Sequence, residues 1–423
     1  MFWILSSFNQ GIPAVKFRMY ILLLIFLGCA SSPSSRNGSV VIKPTVILIS
    51  FDGFRWDYME KTETPNLHRL AQEGVRSKRM IPSFPSKTFP NHYTIVTGLY
   101  PENHGIVSNR MFDPALNRSF VYKDSLNNTE SVWWGGEPIW ATAVKQGQLS
   151  ATYFWPGSEA EIGGVRPTYY ETYNGKAPDS SRVDKVLQWL DLPVEQRPTL
   201  ITLYFSLTDD VGHRRGPESN EILTAIHAMD AMIGRLCDGL TARGLFNQVN
   251  IIALADHGFA STSADSLIFL DDYVDMNTVQ AIIESPVVGL RSKDGDDQKL
   301  FAQLAQAHPH MKTYTRDNMP ARFHFTKNNR ISPVTLLADE GWSITTKSFF
   351  NKFKNYEFGG SHGYDNELTS MGALFVAHGP AFKKGYTSEP FQNIHVYEIM
   401  AHILGLKPSP NDGSLETVKN MLK

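Results

Sequence analysis

Cysteine is scarce in this chain of 423 residues, with 2 in all, Cys29 and Cys237. That excludes a disulfide framework as the source of stability. An excess of one charge sign is also missing: 40 Lys+Arg stand against 42 Asp+Glu, a net charge of −2. A protein that coats nucleic acid carries a clear basic excess, so that class is excluded. The apolar run at residues 20–28, YILLLIFLG, is too short to span a bilayer comfortably. No internal repeat and no long low-complexity segment follows residue 43, so a solenoid or fibrous chain is not indicated. What is present is ordinary globular composition, 42% hydrophobic and 19% charged. Aromatics reach 12%, enough for a large core and an aromatic-lined pocket. The length fits one large α/β enzyme domain with insertions as well as several smaller domains.

Lys16 and Arg18 precede the apolar run, and Gly28-Cys29 closes it. A basic flank before a short apolar core marks a secretory signal peptide, so residues 1–29 read as a leader. Two alternatives stay open at its end. Cys29 is a lipidated first residue, a lipid anchor of the bacterial lipoprotein type, or a plain signal peptide is cut in the Ser-rich stretch beyond. Met19 is a second candidate start. Residues 30–43, rich in Ser, Pro, Asn and Gly, read as a flexible linker. An exported chain left with Cys237 alone cannot staple itself, whereas secreted animal proteins of this size usually carry several disulfides. The expected location is a bacterial periplasm or envelope, otherwise secretion.

Val46-Ile47-Leu48-Ile49-Ser50 is a continuous apolar run, the mark of a strand buried on both faces of a parallel sheet. Leu200 to Ser206 and Val249 to Ala255 repeat the pattern, and Gly372 to Ala377 follows downstream. Thr64-Pro65 opens a helix that Gly74 ends, with Thr64 the expected N-cap. Residues 219–239 form a longer helix. Strands alternating with helices give an α/β class with a central, largely parallel β-sheet flanked by helices. Residues 260–355 are less regular and are expected to hold a smaller insertion.

Ligands of open α/β sheets bind beyond the carboxyl ends of strands. Three predicted strands run into metal-type residues: Asp52, then Asp209 to His213, then Asp256-His257. His362 lies in a Gly-rich loop far downstream. A single strand-end Asp is more often a turn or cap residue, and a single loop His is more often solvated. The whole set weighs differently. Asp52, Asp209, His213, Asp256, His257 and His362 supply three carboxylates and three imidazoles. Mixed nitrogen and oxygen ligands suit zinc, and this number suits two zinc ions with positions left open. Two ions about 4 Å apart can activate a nucleophile and stabilise the leaving oxygen in displacement at phosphorus.

A hydroxyl-rich segment, Ser83 to Tyr93, precedes a short helical pattern from Tyr93 to Gly98. A hydroxyl at a helix start feels the positive end of its dipole. Ser86 and Thr88 both qualify as nucleophiles, and both qualify as plain helix caps. The residues alone leave that choice open.

Phe51-Asp52-Gly53, Lys87-Thr88-Phe89-Pro90-Asn91-His92, Asn109 before Arg110-Met111, Gly136-Glu137-Pro138-Ile139-Trp140, Phe154 to Glu159, Asp209 to His213, Asp256-His257-Gly258 and Ser361-His362-Gly363-Tyr364 occur in one order. Together they resemble the nucleotide pyrophosphatase/phosphodiesterase family of the alkaline phosphatase superfamily, closest to its compact bacterial members. The resemblance covers residues 46 to about 412. It implies an alkaline-phosphatase-like layered fold and a single phosphodiesterase catalytic domain over residues 44–423. It implies Thr88 as nucleophile rather than Ser86, and Asn109 as a donor to the non-bridging phosphoryl oxygen. It assigns Thr88, Asp52, Asp256 and His257 to one zinc, and Asp209, His213 and His362 to the other. Phe89 and Tyr173 match rings that stack on a nucleobase, and Trp155 and Tyr204 match pocket-lining positions. The implied reaction is cleavage of nucleotide phosphodiester or phosphoanhydride bonds to nucleoside 5′-monophosphates through a covalent Thr88 intermediate.

The substrate partner is then a small nucleotide; oligomeric state is not readable. A lysophospholipid or choline-phosphodiester phosphodiesterase with the same chemistry is the alternative. Phosphomonoesterase action fits less well, since those enzymes use Ser with an Arg for the extra phosphate charge. A sulfatase is disfavoured because no Cys-x-Pro-x-Arg stretch occurs. An envelope binding module would be marked by loss of Thr88 or of ligands, and all are present.

Overall fold

The computed structural model describes residues 43–352 and 358–423. The expected leader, Cys29 and the linker up to residue 42 lie outside the described residues. Residues from Lys43 to Lys423 form one compact unit.

The apolar runs form the middle of an eight-stranded sheet. Its order is Tyr386–Ser388, Val75–Ser77, Phe375–His378, Val249–Leu254, Thr45–Phe51, Leu200–Phe205, Ser150–Tyr153, Tyr169–Glu171. All residues of Thr45–Phe51, Leu200–Phe205 and Val249–Leu254 are buried. Apolar runs without alternation require that, since helices cover both faces. The strands from Val249–Leu254 to Tyr169–Glu171 are parallel. The downstream run also becomes a buried strand, but Phe375–His378 lies antiparallel to both neighbours. Register sets Ser50 beside Tyr204 and Leu254, so the three central strands end level at one edge.

The long helix spans Asn220–Ala242, and Ser219 caps it by accepting the Ile222 N–H at 3.2 Å. Ile222, Ile226, Met229, Ile233, Leu236 and Leu240 form its buried face. This spacing of three and four is that of an amphipathic helix against a core. Asp230 is buried on the same face. Its Oδ1 accepts the Leu67 N–H at 2.8 Å and its Oδ2 the Asn66 N–H at 3.2 Å. The helix so capped is Pro65–Gln72. Thr64 stands at its N-cap position, as the sequence indicates, but makes no capping bond. Its hydroxyl turns back to the Met59 carbonyl at 3.1 Å, and Asp230 takes over the free N–H groups.

The irregular stretch from 260 to 355 contains a four-stranded antiparallel sheet, ordered Val279–Glu284, Val287–Ser292, Val334–Ala338, Met311–Thr315. Leu290, Leu300, Leu336 and Ile344 give it a small core of its own. Among the described residues no helix is long and apolar enough to cross a membrane.

Asp230→Ala removes two helix-capping acceptors from a buried position. It should lower stability to urea by about 1–3 kcal/mol. An unchanged unfolding midpoint would show that the Pro65–Gln72 helix does not depend on this carboxylate.

Candidate active site

Level strand ends bring distant residues to one place. Asp52 directly follows Thr45–Phe51, and Asp256-His257 lies just past Val249–Leu254. Asp209 and His213 ride on the helix Leu207–Arg215, which follows Leu200–Phe205. His362 comes from the far loop, which is held there because Ser361 pairs with Ala260 in a short antiparallel ladder.

The imidazoles have their tautomers set by the backbone. Nδ1 of His213 lies 3.1 Å from the Gly360 carbonyl, Nδ1 of His257 3.0 Å from that of Gly258, and Nδ1 of His362 2.7 Å from that of Ser86. A carbonyl only accepts, so each proton sits on Nδ1 and each Nε2 carries a lone pair. These lone pairs converge. Nε2 of His213 and Nε2 of His362 face each other at 3.2 Å, each 3.5 Å from Asp209 Oδ1. Nε2 of His257 lies 3.0 Å from Asp256 Oδ2 and 3.5 Å from Asp52 Oδ1. Asp52 Oδ1, Asp209 Oδ1 and Asp256 Oδ2 are buried with no hydrogen-bond partner among the described residues. Lone pair facing lone pair repels, and an orphaned buried carboxylate oxygen is costly. A cation in each cluster turns both penalties into coordination, and the Nδ1–carbonyl bonds are the outer contacts that metal-bound imidazoles need. Asp52, Asp256 and His257 make one metal-type group, and Asp209 and His362 another, with His257 close to both. The residues present therefore fit metal binding, and their nitrogen and oxygen donors suit zinc.

The electrostatics say the same. Burial pushes the Asp52 carboxyl well above its usual range, with Asp256 and Asp209 adding to the rise against the Tyr204 hydrogen bond. Burial also raises Asp209, though His213 and His257 oppose it. For Asp256 burial acts upward, and positive charge on the adjoining His257 and His92 is what would hold the carboxyl below its ordinary value. Burial, then His257, Lys87 and His213, keep the His362 imidazole neutral by pulling it far down. A bound divalent ion reverses this logic, since it becomes the largest local charge.

Thr88 is the first residue of the helix Thr88–Thr97, with Lys87 at the N-cap. The helix thus begins at Thr88 and not at Tyr93, because Pro90 sits in its first turn, where proline is tolerated. Thr88 is half-buried, with Oγ1 3.5 Å from His257 Nε2. Ser86 is fully buried, its hydroxyl donating to the Tyr364 carbonyl at 3.2 Å. Asn109 Oδ1 accepts the Phe89 N–H at 2.9 Å, which leaves its amide N–H groups free to donate.

The four aromatic positions separate into two pairs. Phe89 is half-buried among Phe120, Tyr122 and Trp134. Tyr173 is 54% exposed and meets Phe154 edge-on at 5.2 Å. Trp155 is 1% exposed, and its indole N–H donates to the His92 carbonyl at 3.0 Å. Tyr204 is also buried, its hydroxyl donating to Asp52 Oδ2 at 2.6 Å.

Several residues around the ligands were given no role of their own by the sequence. Phe259 packs its ring against His213 at 4.9 Å and His362 at 5.2 Å. A Cβ on Gly53, whose φ is +67°, would lie 2.5 Å from that ring, so the Asp-Gly pair after the first strand is a steric need. Arg55 donates to the Phe259 carbonyl at 3.0 Å. Lys87 is buried beside Thr88, and burial brings its ammonium down to about 8. His92 lies directly beneath the Thr88 turn. Its sequence signal was its place in the run Lys87-Thr88-Phe89-Pro90-Asn91-His92, with no role attached to it.

Comparison with known proteins gives a consistent result. The family described as type I phosphodiesterase/nucleotide pyrophosphatase matches residues 46–365. A venom phosphodiesterase of Naja atra is 43% identical over 407 residues, covering 93% of this chain and 48% of that protein. Ectonucleotide pyrophosphatase/phosphodiesterase family member 3 of Rattus norvegicus is 41% identical, over 93% of this chain and 46% of its own length. The chain thus spans about half the length of these relatives. An uncharacterized pyrophosphatase/phosphodiesterase of Schizosaccharomyces pombe is 43% identical over 90% of this chain and 81% of its own. Among solved structures, an inactive variant of murine ectonucleotide pyrophosphatase/phosphodiesterase 5, in complex with AMP, superposes with a TM-score of 0.85 at 38% identity. It covers 90% of this chain and 100% of the murine one.

Zinc added to metal-free protein should raise the thermal midpoint, by about 2.7 kcal/mol of stability at a hundredfold excess over Kd. Asp256→Asn and Asp209→Asn should each lower the zinc retained per chain. A midpoint indifferent to zinc would count against metal binding at these clusters.

Proposed function

This chain belongs to the type I phosphodiesterase/nucleotide pyrophosphatase family, and from that premise we infer that it hydrolyses phosphodiester or phosphoanhydride bonds of nucleotides, releasing nucleoside 5′-monophosphates. The observation that carries this reading is the convergence of three orphaned carboxylate oxygens and three imidazole lone pairs beside the Thr88 hydroxyl. Support for a nucleotide substrate comes from the murine relative, which was solved with AMP.

Asp52, Asp256, His257 and Thr88 would hold one zinc, and Asp209, His213 and His362 the other. Bound there, zinc supplies Lewis acidity that makes a hydroxyl ionise near neutral pH and offsets charge on a leaving oxygen. Thr88 attacks phosphorus in line: its Oγ1–P bond forms as the bond to the leaving oxygen breaks. Water then cleaves the Thr88 ester and restores the hydroxyl. The helix start favours negative charge at Thr88. The free Asn109 amide donates to the non-bridging oxygen, whose charge grows in the transition state. Phe89 and Tyr173 stack on the base, worth about 1–3 kcal/mol and indifferent to base identity. Trp155 and Tyr204 complete the pocket from behind. Residues 44–423 act as a single catalytic domain. The words venom and ecto in the relatives' names support an exported protein.

The deciding experiment compares turnover, with zinc present, on the p-nitrophenyl esters of thymidine monophosphate, phosphorylcholine and phosphate. A strong preference for the thymidine diester is expected. A preference for phosphorylcholine would move the same chemistry to lipid headgroups, and a preference for the monoester would overturn diester specificity. Thr88→Ala should keep its metal yet lose about 10⁴-fold or more in kcat, the scale of a lost nucleophile. Phe89→Ala and Tyr173→Ala should weaken the thymidine ester more than the phosphorylcholine ester. Equal losses on both would mean that the rings serve only the fold.

A further inference from the structure

One fully buried imidazole at the site lies outside the ligand set. We propose that His92 is a positioning residue, which holds the Thr88 helix, the Asp256 carboxylate and the strand leading to Asp52 in one fixed arrangement. Its Nδ1 lies 2.9 Å from the Thr88 carbonyl and 3.3 Å from Asp256 Oδ2. Its Nε2 lies 2.8 Å from Ser50 Oγ. Nδ1 faces only acceptors, so the ring proton sits there, and Nε2 accepts from the Ser50 hydroxyl. One side chain thus touches three separate segments. Ser50 belongs to the strand Thr45–Phe51 that Asp52 follows, Asp256 follows Val249–Leu254, and Thr88 opens its own helix. These segments carry the nucleophile and both carboxylates of one metal-type group.

The ring has little freedom. His92 is 0% exposed. Trp155 and Tyr204 meet it edge-on at 5.1 and 5.2 Å. The Trp155 indole also ties down the His92 carbonyl, and the Tyr204 hydroxyl bonds Asp52 Oδ2. The two buried aromatic positions therefore clamp His92 and Asp52. Outer contacts of this kind orient ligating carboxylates, and losing one costs about 10–100-fold in metal affinity or activity.

The proposal rests on the metal-dependent phosphodiesterase reading, so the first readout needs no turnover. It is zinc retained by the purified full chain against a graded chelator. His92→Leu keeps the bulk and removes all three polar contacts. It should lose about 10–100-fold in zinc affinity and a similar factor in kcat, with KM nearly unchanged. His92→Asn returns an amide N–H near the place of Nδ1 and should recover most of both losses. Ser50→Ala, which leaves Nε2 unpaired, should fall between. A folded His92→Leu within about twofold of the parent in both readouts overturns the proposal, as does equal impairment of the Leu and Asn variants. Should the leucine variant fail to fold, Ser50→Ala decides, and unaltered zinc retention there overturns the proposal. If the parent shows no diester turnover, the functional reading falls while the zinc comparison still decides the role of His92.

Discussion

Three carboxylates, two of them buried and the third partly so, repel each other at one end of the sheet unless a cation lies between them. Asp52, Asp209 and Asp256 are in that position, each with a buried oxygen that no hydrogen bond among the described residues satisfies. Burial and mutual repulsion drive the Asp52 carboxyl up, which is the electrostatic form of the same cost. The surroundings fit this constraint. Backbone carbonyls hold the protons of His213, His257 and His362 on the outer ring nitrogen, which leaves the inner one free for a metal. The side chains are thus arranged to hold an ion.

The parallel sheet makes that organisation rigid. Thr45–Phe51 lies between Leu200–Phe205 and Val249–Leu254, and the register levels their ends. A shift of register would move Asp52 away from Asp256 and break the Gly53 N–H bond to Asp256 Oδ1 at 3.0 Å. Phe259 fills the space behind the imidazoles, and the glycine at 53 leaves room for its ring. Arg55 fixes the backbone of Phe259 and is itself bound by Asp57 and Glu218. The metal-type cluster therefore sits beside a loop that Arg55, through its own paired contacts, holds in place.

Local sequence patterns were most legible where one physical cause dominates. An apolar run such as Val46 to Ile49 has to be buried on both faces, and it is. The helix around residues 219–239 follows from its apolar spacing and a Ser cap. Patterns misled where two causes compete. The helical pattern read as starting at Tyr93, yet Pro90 lies in the first turn and the helix starts at Thr88. Thr64 read as the capping side chain, yet Asp230 of a distant helix supplies the bonds, and no local signal carries that information.

By itself the sequence determined the chemical inventory: an α/β chain with three carboxylates, three imidazoles and a choice of hydroxyls at strand or helix ends. Those depend on residue type and on periodicity, both of which are local. Tertiary structure alone decided which of them meet. Ser86 is sealed against the Tyr364 carbonyl while Thr88 faces His257, a difference two residues apart that only packing creates. Trp155 and Tyr204 turn to His92 and Asp52 while Tyr173 faces solvent. Such outcomes depend on contacts between segments far apart in the chain, and burial, not residue type, determines which polar atoms stay unpaired and able to hold a metal.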